Sequence, residues 1–379
     1  MDMNDRNLRT IQTKQREDQF IITAASEVMA VLSLASDIFD LKRRLDRILI
    51  GYNSNNEPVY VSDLGSADAM VLLLKEAMNP NLVQALEDVP TLVHCGPFAN
   101  IAHGCNSLVA TKLGLKLADY VVTEAGFGAD LGMEKFLHLK MPHLNHDVDA
   151  VVIVATLRAL KLHGGATTYE EPNMIALKEG MKNLEKHIEN IQQFNLPFVI
   201  SLNHFDNDPS EETEYGLTWA KNNVFPIALS KGFKSGGQGM EDLANEVVKL
   251  CNKPLNFKPL YTPSINIQQH IETIATSIYG AKDVSFSKAA LRDIETYQKL
   301  GWHLPICMAK TPLSLSGDAT LKGRPAGFTI EISKVRPSLG AGFLVAQTKG
   351  IMVMPGLNQT PRALKFKLQD NGDIQEVIN

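Results

Sequence analysis

Cysteine is scarce in this sequence of 379 residues, and the metal-binding and redox motifs that use it are missing. No two cysteines form a C-x-x-C pair, which is the spacing of zinc ribbons and dithiol redox sites. The histidines show no H-E-x-x-H spacing either, so we expect no catalytic zinc and no metal site built by this chain alone. The four cysteines are Cys95, Cys105, Cys251 and Cys307.

An excess of basic residues and long apolar runs are missing as well. The chain has 37 basic and 42 acidic residues and a net charge of −5, which gives no polybasic patch for nucleic acid or an anionic membrane. No apolar run approaches the roughly 20 residues that span a bilayer, and the polar first 20 residues exclude a secretory signal. We therefore expect a cytoplasmic protein whose partners are small molecules.

One motif for a nucleophilic serine and one motif for phosphate binding are also missing from the sequence. It contains no G-x-S-x-G elbow of the kind that carries a nucleophilic serine. It contains no G-x-x-x-x-G-K-[ST] phosphate loop either. Neither a serine hydrolase nor a Walker-type nucleotide site is indicated by motif.

Continuous apolar runs at 150–156, 196–202 and 304–309 alternate with segments of helical period. Strands that are apolar throughout belong to parallel sheets covered by helices on both faces, so the predicted fold class is α/β. Further predicted elements are helices at 22–45, 66–78, 99–117, 240–250 and 267–278, strands at 48–51, 59–61 and 91–94, and a Gly- and Pro-rich region from residue 312.

The stretch 117–136, LADYVVTEAGFGADLGMEKF, is the most informative one. Its β-branched centre at 120–123 predicts a buried strand that runs into a turn containing Gly126, Gly128 and Gly132. Two carboxylates and an ammonium follow at once, and we take these three as candidate catalytic residues: Glu124, Asp130 and Lys135. In the alternative interpretation the turn is only a tight connection, Glu124 and Lys135 are solvated, and Asp130 caps the next helix.

Later strand ends carry cationic side chains. Arg158 and Lys161 lie three residues apart before His163, so on a helix they would share a face that suits an anionic substrate. The alternative is that both are surface charges on a crossover helix. Lys310 and Thr311 follow the predicted strand at 304–309.

Two aromatic side chains lie in polar or Gly-rich loops. Phe205 follows a predicted strand in SLNHFDND, and Phe233 lies between two lysines in KGFKSGGQG. An aromatic ring in such a loop suits a flat ligand that stacks on it. The alternative is that both rings pack internally.

Several long motifs in this order resemble the formate–tetrahydrofolate ligase family, also called formyltetrahydrofolate synthetase. They are PNLVQALE (80–87), GPFANIAHGCNS (96–107), VVTEAGFGADLGMEKF (121–136), VATLRALKLHGG (154–165), CMAKT (307–311) and MPGL (354–357). The resemblance implies formylation of tetrahydrofolate at N10 with ATP and Mg²⁺, through formyl phosphate, by a homotetramer with a phosphate-loop NTPase-like fold.

The same resemblance implies that two aromatic residues clamp the pterin. Phe205 and Phe233 stand at those positions, and Phe233 replaces the family's usual tryptophan. It further implies three domains: a mostly helical remnant or insert at 1–90, an α/β core with the glycine turn and pterin loops at 91–235, and a smaller α/β domain at 236–379.

The missing phosphate loop is the main departure from the family pattern. From it we expect that the chain lacks roughly the family's first third, and that it is inactive alone or complemented by a separately encoded N-terminal piece, since phosphoryl transfer depends on the groups around the phosphates. The alternatives are a non-catalytic, folate-binding truncated paralogue and a decayed gene product with an open sheet edge.

Overall fold

This computed structural model describes residues 26–262 and 266–351 in full, and beyond them the backbone of four short strands at 11–12, 17–18, 366–368 and 374–376. The MPGL motif lies outside the described residues. The helices are α1 (Glu27–Leu34), α2 (Ile38–Asp46), α3 (Ala67–Leu74), α4 (Leu108–Leu117), α5 (Leu157–His163), α6 (Met174–Gln193), α7 (Ser210–Asn222), α8 (Gly232–Ser235), α9 (Glu241–Cys251), α10 (Ile267–Ile274) and α11 (Lys288–Lys299).

The strands form one parallel sheet, one mixed sheet and four two-stranded antiparallel pairs among the described residues. They are β1 (Ile11–Gln12), β2 (Glu17–Asp18), β3 (Leu49–Tyr52), β4 (Pro58–Tyr60), β5 (Asn81–Gln84), β6 (Pro90–Val93), β7 (Val151–Ala155), β8 (Phe198–Asn203), β9 (Ile227–Ser230), β10 (Asp283–Phe286), β11 (Ile306–Ala309), β12 (Thr329–Ser338), β13 (Phe343–Thr348), β14 (Phe366–Leu368) and β15 (Ile374–Glu376).

The parallel sheet has the order β7-β8-β9 and confirms the predicted α/β class. Successive residues of its central strand point to opposite faces. Ile200 and Leu202 join the large core, whereas Val199 packs with Leu243 and Leu250 of α9 in a second apolar cluster. The central strand is therefore buried on both sides, as its continuous apolar sequence predicts.

The mixed sheet has the order β10-β12-β13-β11, and the prediction of a Gly- and Pro-rich region after residue 312 overlooked its two longest strands. β12 and β13 pair antiparallel, while β10 and β11 run parallel to their neighbours. Ile330 and Ile332 are buried and alternate with more exposed residues in the first half of β12, and the irregularity between Ile332 and Lys334 moves the next buried position to Val335. That two-residue period was the sequence signal for a strand.

The first two helices are fastened to the turn between β12 and β13. A carboxylate oxygen of Glu27 accepts a hydrogen bond from Gly340 N at 2.7 Å, and the Arg44 guanidinium donates to Ala341 O at 3.1 Å. The predicted helix at 22–45 is two helices because Asp37 accepts hydrogen bonds from the backbone N–H groups of Phe39 and Asp40 and so starts α2.

Two predictions near the glycine turn are wrong. The helix expected from residue 99 begins only at Leu108, where Ser107 accepts from Ala110 N as its cap. Residues 120–123 form no strand: Val122 is 88% exposed, and the nearest pairing is an isolated bridge between Cys105 and Ala125. A β-branched run does not pair where no neighbouring strand lies beside it.

Helices α5 and α6 contact each other backbone to backbone through two glycines. A Cβ atom at Gly164 would lie 1.7 Å from Ala176 O, and one at Gly180 would lie 1.8 Å from Leu160 O. No side chain fits between the helices at this crossing. The helix that follows β7 is thereby held tightly against the long helix α6.

We predict that Gly180→Ala destabilises the protein, although alanine normally stabilises a helix interior by about 1 kcal/mol relative to glycine. The added methyl group meets backbone, and such overpacking typically costs about 1–3 kcal/mol. The matched control is Gly216→Ala in α7, whose Cβ would meet Leu202 Cδ2 at an ordinary 3.4 Å. Urea unfolding gives the free energy of unfolding of wild type and both variants. If Gly180→Ala is as stable as Gly216→Ala, the contact between the helices can relax and the prediction is wrong.

Candidate functional site

The carboxyl ends of the three parallel strands meet at one edge of the sheet, where an open α/β sheet normally places its ligand. β7 ends at Ala155, β8 at Asn203 and β9 at Ser230. The segments that follow them bring three of the candidate side chains to this edge: Arg158, Phe205 and Phe233.

The loop after β8 holds the Phe205 ring against a cation. The Arg158 guanidinium carbon lies 3.8 Å from the centre of the ring, and its NH2 donates to Asn207 Oδ1 at 2.5 Å. Asp208 closes the loop by accepting from Phe205 N at 2.9 Å, and its other oxygen lies 3.8 Å from Arg158 Nε. One face of the Phe205 ring is thus covered by Arg158, and the ring is fixed before any ligand binds.

The Phe233 side chain is 95% exposed, so the alternative in which it packs internally is wrong. It lies in α8, within a loop that is closed by a hydrogen bond from Lys231 N to Gly239 O at 2.9 Å. Lys234 forms an ion pair with Asp206 at 3.1 Å. This pair links the loop of Phe233 to the loop of Phe205.

Lys161 does not share a free cationic face with Arg158. Its Nζ is buried, lies 3.0 Å from Glu212 Oε2 and donates to Glu171 O at 2.9 Å. The prediction of a surface charge is wrong for Lys161, and its charge is already matched by a buried carboxylate. We therefore take it as a structural residue of the crossover from β7 to α6.

The glycine turn is pressed against the loop at 96–104. Gly126 N donates to Gly104 O at 2.9 Å. A Cβ atom at Gly132 would lie 2.2 Å from Gly126 O, and one at Gly128 would lie 2.5 Å from Asp130 Oδ1. These two glycines are needed for close approach, which a side chain would prevent.

The three candidate catalytic residues have different surroundings. Glu124 is exposed, whereas Asp130 and Lys135 are buried. Lys135 Nζ donates to the carbonyl oxygens of Ala99 and Ala102, so the alternative of a solvated lysine is wrong. The helical segment after the turn begins without a side-chain cap, so Asp130 is not its cap.

Asp130 forms a buried ion pair with Lys310, at 3.1 Å between Oδ2 and Nζ. Burial alone would raise the pKa of the Asp130 carboxyl, but the charges of Lys310 and His187 outweigh it, and the pKa lies below its ordinary value. Lys310 also donates to Thr311 O and Ser314 O, and it lies 5.0 Å from the centre of the Tyr279 ring. The pair joins the glycine turn to the end of β11.

Lys140 is a further buried lysine, which the sequence did not single out. Lys140 Nζ donates to Asn106 Oδ1 and Thr111 Oγ1, and burial lowers the pKa of Lys140 to about 8. Nearby, His103 is fully buried beside Ser33 Oγ at 3.0 Å, and burial followed by the charge of Lys140 lowers the pKa of His103 to about 3. The signal was the sequence FLHLKM at 136–141, in which four of the six residues are apolar and surround His138 and Lys140.

The part of the chain that the structure describes contains no group of three or more His, Cys, Asp or Glu side chains that could hold a metal ion. None of its helices has the length and apolar character needed to cross a membrane.

Comparison with known proteins identifies close relatives. The family described as formate–tetrahydrofolate ligase matches residues 1–378. The formate–tetrahydrofolate ligase of Acholeplasma laidlawii (strain PG-8A) is 56% identical over 376 residues, which is 99% of this chain and 71% of that relative.

These findings correct one expectation from the sequence. The family match extends from residue 1 to residue 378, and most of the relative's length is covered. They do not bear out the expectation that the chain lacks the family's N-terminal region. Neither finding tests the activity of the chain, so its inactivity alone stays an expectation from the sequence.

We predict that Asp130→Asn lowers the free energy of unfolding by roughly 3–5 kcal/mol, because it leaves the buried Lys310 ammonium without its counter-charge. The double variant Asp130→Asn/Lys310→Met should recover part of this loss, since it removes both charges. Chemical denaturation of the two variants measures the effect. Equal stability of wild type and Asp130→Asn would contradict it.

The buried histidine predicts a loss of stability in acid. The pKa of His103 is about 3 in the folded protein and ordinarily 6.5, so below pH 6.5 the unfolded chain binds a proton that the folded one does not. Stability present above pH 6.5 is then lost toward pH 3, by at most about 1.4 kcal/mol per pH unit.

His103→Gln should flatten this dependence, because glutamine does not titrate. The free energy of unfolding is measured between pH 7 and pH 4 for wild type, His103→Gln and, as control, His146→Gln, whose side chain is half exposed. The same slope in all three proteins would refute the assignment.

Proposed function

Because this chain belongs to the formate–tetrahydrofolate ligase family, we propose that it binds tetrahydrofolate at the carboxyl edge of the β7-β8-β9 sheet and catalyses the ATP-dependent formylation of N10. The observation that supports the binding site most strongly is the nearly complete exposure of Phe233 beside the loop of a fixed Phe205. An exposed aromatic ring in a Gly-rich loop beside a second aromatic ring suits a flat ligand that stacks on it.

In the proposed reaction a formate oxygen attacks the γ-phosphorus of ATP, ADP leaves, and formyl phosphate forms. The N10 lone pair of tetrahydrofolate then attacks the formyl carbon, the amine loses its proton, and phosphate leaves. Mg²⁺ bound with ATP would offset phosphate charge, but the described residues offer no cluster of metal ligands, and we assign the metal no residue of this chain.

The role proposed for the chain's aromatic residues is to orient the pterin. Arg158 covers one face of Phe205, so only the opposite face is free for stacking. Phe233 would cover the other side of the pterin from the adjoining loop. A ring held before binding loses less entropy when the ligand arrives.

For the glycine turn, we propose that the buried residues act by positioning. Asp130 and Lys135 fix the turn and the loop at 96–104, through Lys310 and through the carbonyl oxygens of Ala99 and Ala102. Glu124 is the exposed member of the three candidates and is the one free to exchange a proton with a substrate.

We also propose a cytoplasmic homotetramer that acts on small molecules, as the family resemblance implies. The composition supports the small-molecule part of this proposal, since a net charge of −5 does not favour binding to a nucleic acid. Light scattering of the purified protein determines the oligomeric state.

We predict that Phe205→Ala and Phe233→Ala each weaken tetrahydrofolate binding roughly ten- to a hundredfold, the loss expected for one stacked ring. Phe233→Ala should leave the unfolding temperature unchanged, because the ring packs against nothing. Phe233→Trp should tighten binding, since indole offers a larger face. Calorimetric titration with tetrahydrofolate and a thermal melt of each variant measure both quantities.

The control is Phe39→Ala in α2, which removes another exposed phenylalanine. It should leave affinity unchanged. Affinities of both loop variants equal to that of wild type would exclude the clamp. Formate-dependent ADP release is measured in parallel, and tight folate binding without it would indicate a binding protein in place of a ligase.

A further inference from the structure

The hairpin of β5 and β6 is almost entirely exposed and carries one long-range contact at its tip. The two strands pair antiparallel from Asn81–Val93 to Gln84–Pro90, and all four residues of β5 are exposed. Leu86 at the tip is 90% exposed. Because the tip buries so little apolar area, hydrophobic packing does not explain its position on the protein.

The contact joins Glu87 to the loop that carries Phe233. Gly237 N donates to both carboxylate oxygens of Glu87, at 3.0 and 2.8 Å, across 150 residues of sequence. A Cβ atom at Gly236 would lie 2.2 Å from Glu87 Oε1, and one at Gly237 would lie 2.4 Å from Oε2. The glycine pair therefore makes room for this carboxylate, which is a more specific role than flexibility.

The backbone at the tip of the hairpin adopts a strained conformation at two successive residues. Glu87 and its neighbour Asp88 both have φ of +61°. This left-handed conformation costs a side-chain-bearing residue roughly 1–2 kcal/mol. Both residues lie in the tight turn closed by the hydrogen bond from Ala85 N to Val89 O, so the turn fixes the backbone from which the Glu87 carboxylate reaches Gly237.

We propose that Glu87 is a positioning residue for Phe233 and thereby for the pterin of tetrahydrofolate. The carboxylate holds residues 236–237, which directly follow α8, and the hydrogen bond from Lys231 N to Gly239 O closes the same loop. Phe233 lies between these two fastenings and has no packing of its own. This inference rests on the proposed folate site.

The contact between Glu87 and Gly237 should affect the affinity for tetrahydrofolate without affecting the stability of the whole protein. Glu87, Gly237 and Phe233 are exposed or nearly so, and interactions among exposed groups contribute little to the free energy of unfolding. Releasing the loop should thus change ligand binding while the unfolding temperature stays the same. If Glu87 had only a structural role, its loss would lower the unfolding temperature and leave the affinity unchanged.

The test is a double-mutant cycle read by calorimetric titration with tetrahydrofolate. Glu87→Ala removes the acceptor, and Gly237→Ala places a methyl group where the carboxylate lies. Each should weaken binding about three- to tenfold, as for the loss of one hydrogen bond. The double variant should be no weaker than either single one, because both changes break the same contact.

Asp88→Ala is the matched control: it changes the adjacent strained residue, whose carboxylate bonds to Gln84 within the hairpin. It should bind like wild type, and Glu87→Gln, which keeps one acceptor, should bind better than Glu87→Ala. Glu87→Ala should have no further effect in a Phe233→Ala background, because the ring it positions is gone.

The outcomes distinguish this inference from the function on which it rests. If Phe233→Ala weakens binding while Glu87→Ala and Gly237→Ala bind like wild type, the positioning role is wrong and the clamp stands. If Phe233→Ala binds like wild type, the clamp itself is wrong, and the positioning role falls with it. A lowered unfolding temperature with unchanged affinity in Glu87→Ala would also overturn the positioning role.

Discussion

The buried ion pair between Asp130 and Lys310 is the interaction on which the centre of the molecule depends. Lys310 follows the end of β11 in the mixed sheet, and Asp130 lies at the glycine turn. Lys310 N also donates to Asn100 O, so the same residue fastens the loop at 96–104. The Lys135 ammonium group donates to two carbonyl oxygens of the same loop, so the loop is held by two lysines, one through its backbone N–H and one through its side chain. Such pairs give stability only while both partners are present.

The elements that the sequence predicts well are those determined by local pattern. The strands at 150–156 and 196–202 are continuous apolar runs, and β7 and β8 lie within one or two residues of them. The helix at 240–250 is α9 within one residue of each boundary, since its apolar period is regular. In these segments the local apolar pattern agrees with the tertiary packing, so the sequence of the segment alone is enough to predict the element.

The errors arise where partners distant in the sequence decide the structure. The run at 120–123 has strand-forming residues, but the structure provides no strand beside it. Lys161 looks like a surface charge until Glu212 is brought to it by α7. The contact of Glu87 with Gly237 spans 150 residues and leaves no periodic signal. Phe205 and Phe233, by contrast, could be singled out from the composition of their loops alone.

The close contact at Gly164 and Gly180 makes α5 and α6 behave as one rigid unit. Packed backbone is nearly incompressible, so one helix cannot move along the line of contact without moving the other. Arg158, at the start of α5, supports the ring of Phe205, and His187, on α6, lies beside Asp130. The position of the Phe205 ring at the sheet edge is therefore coupled, through α5 and α6, to the buried ion pair of Asp130 and Lys310 in the interior of the molecule.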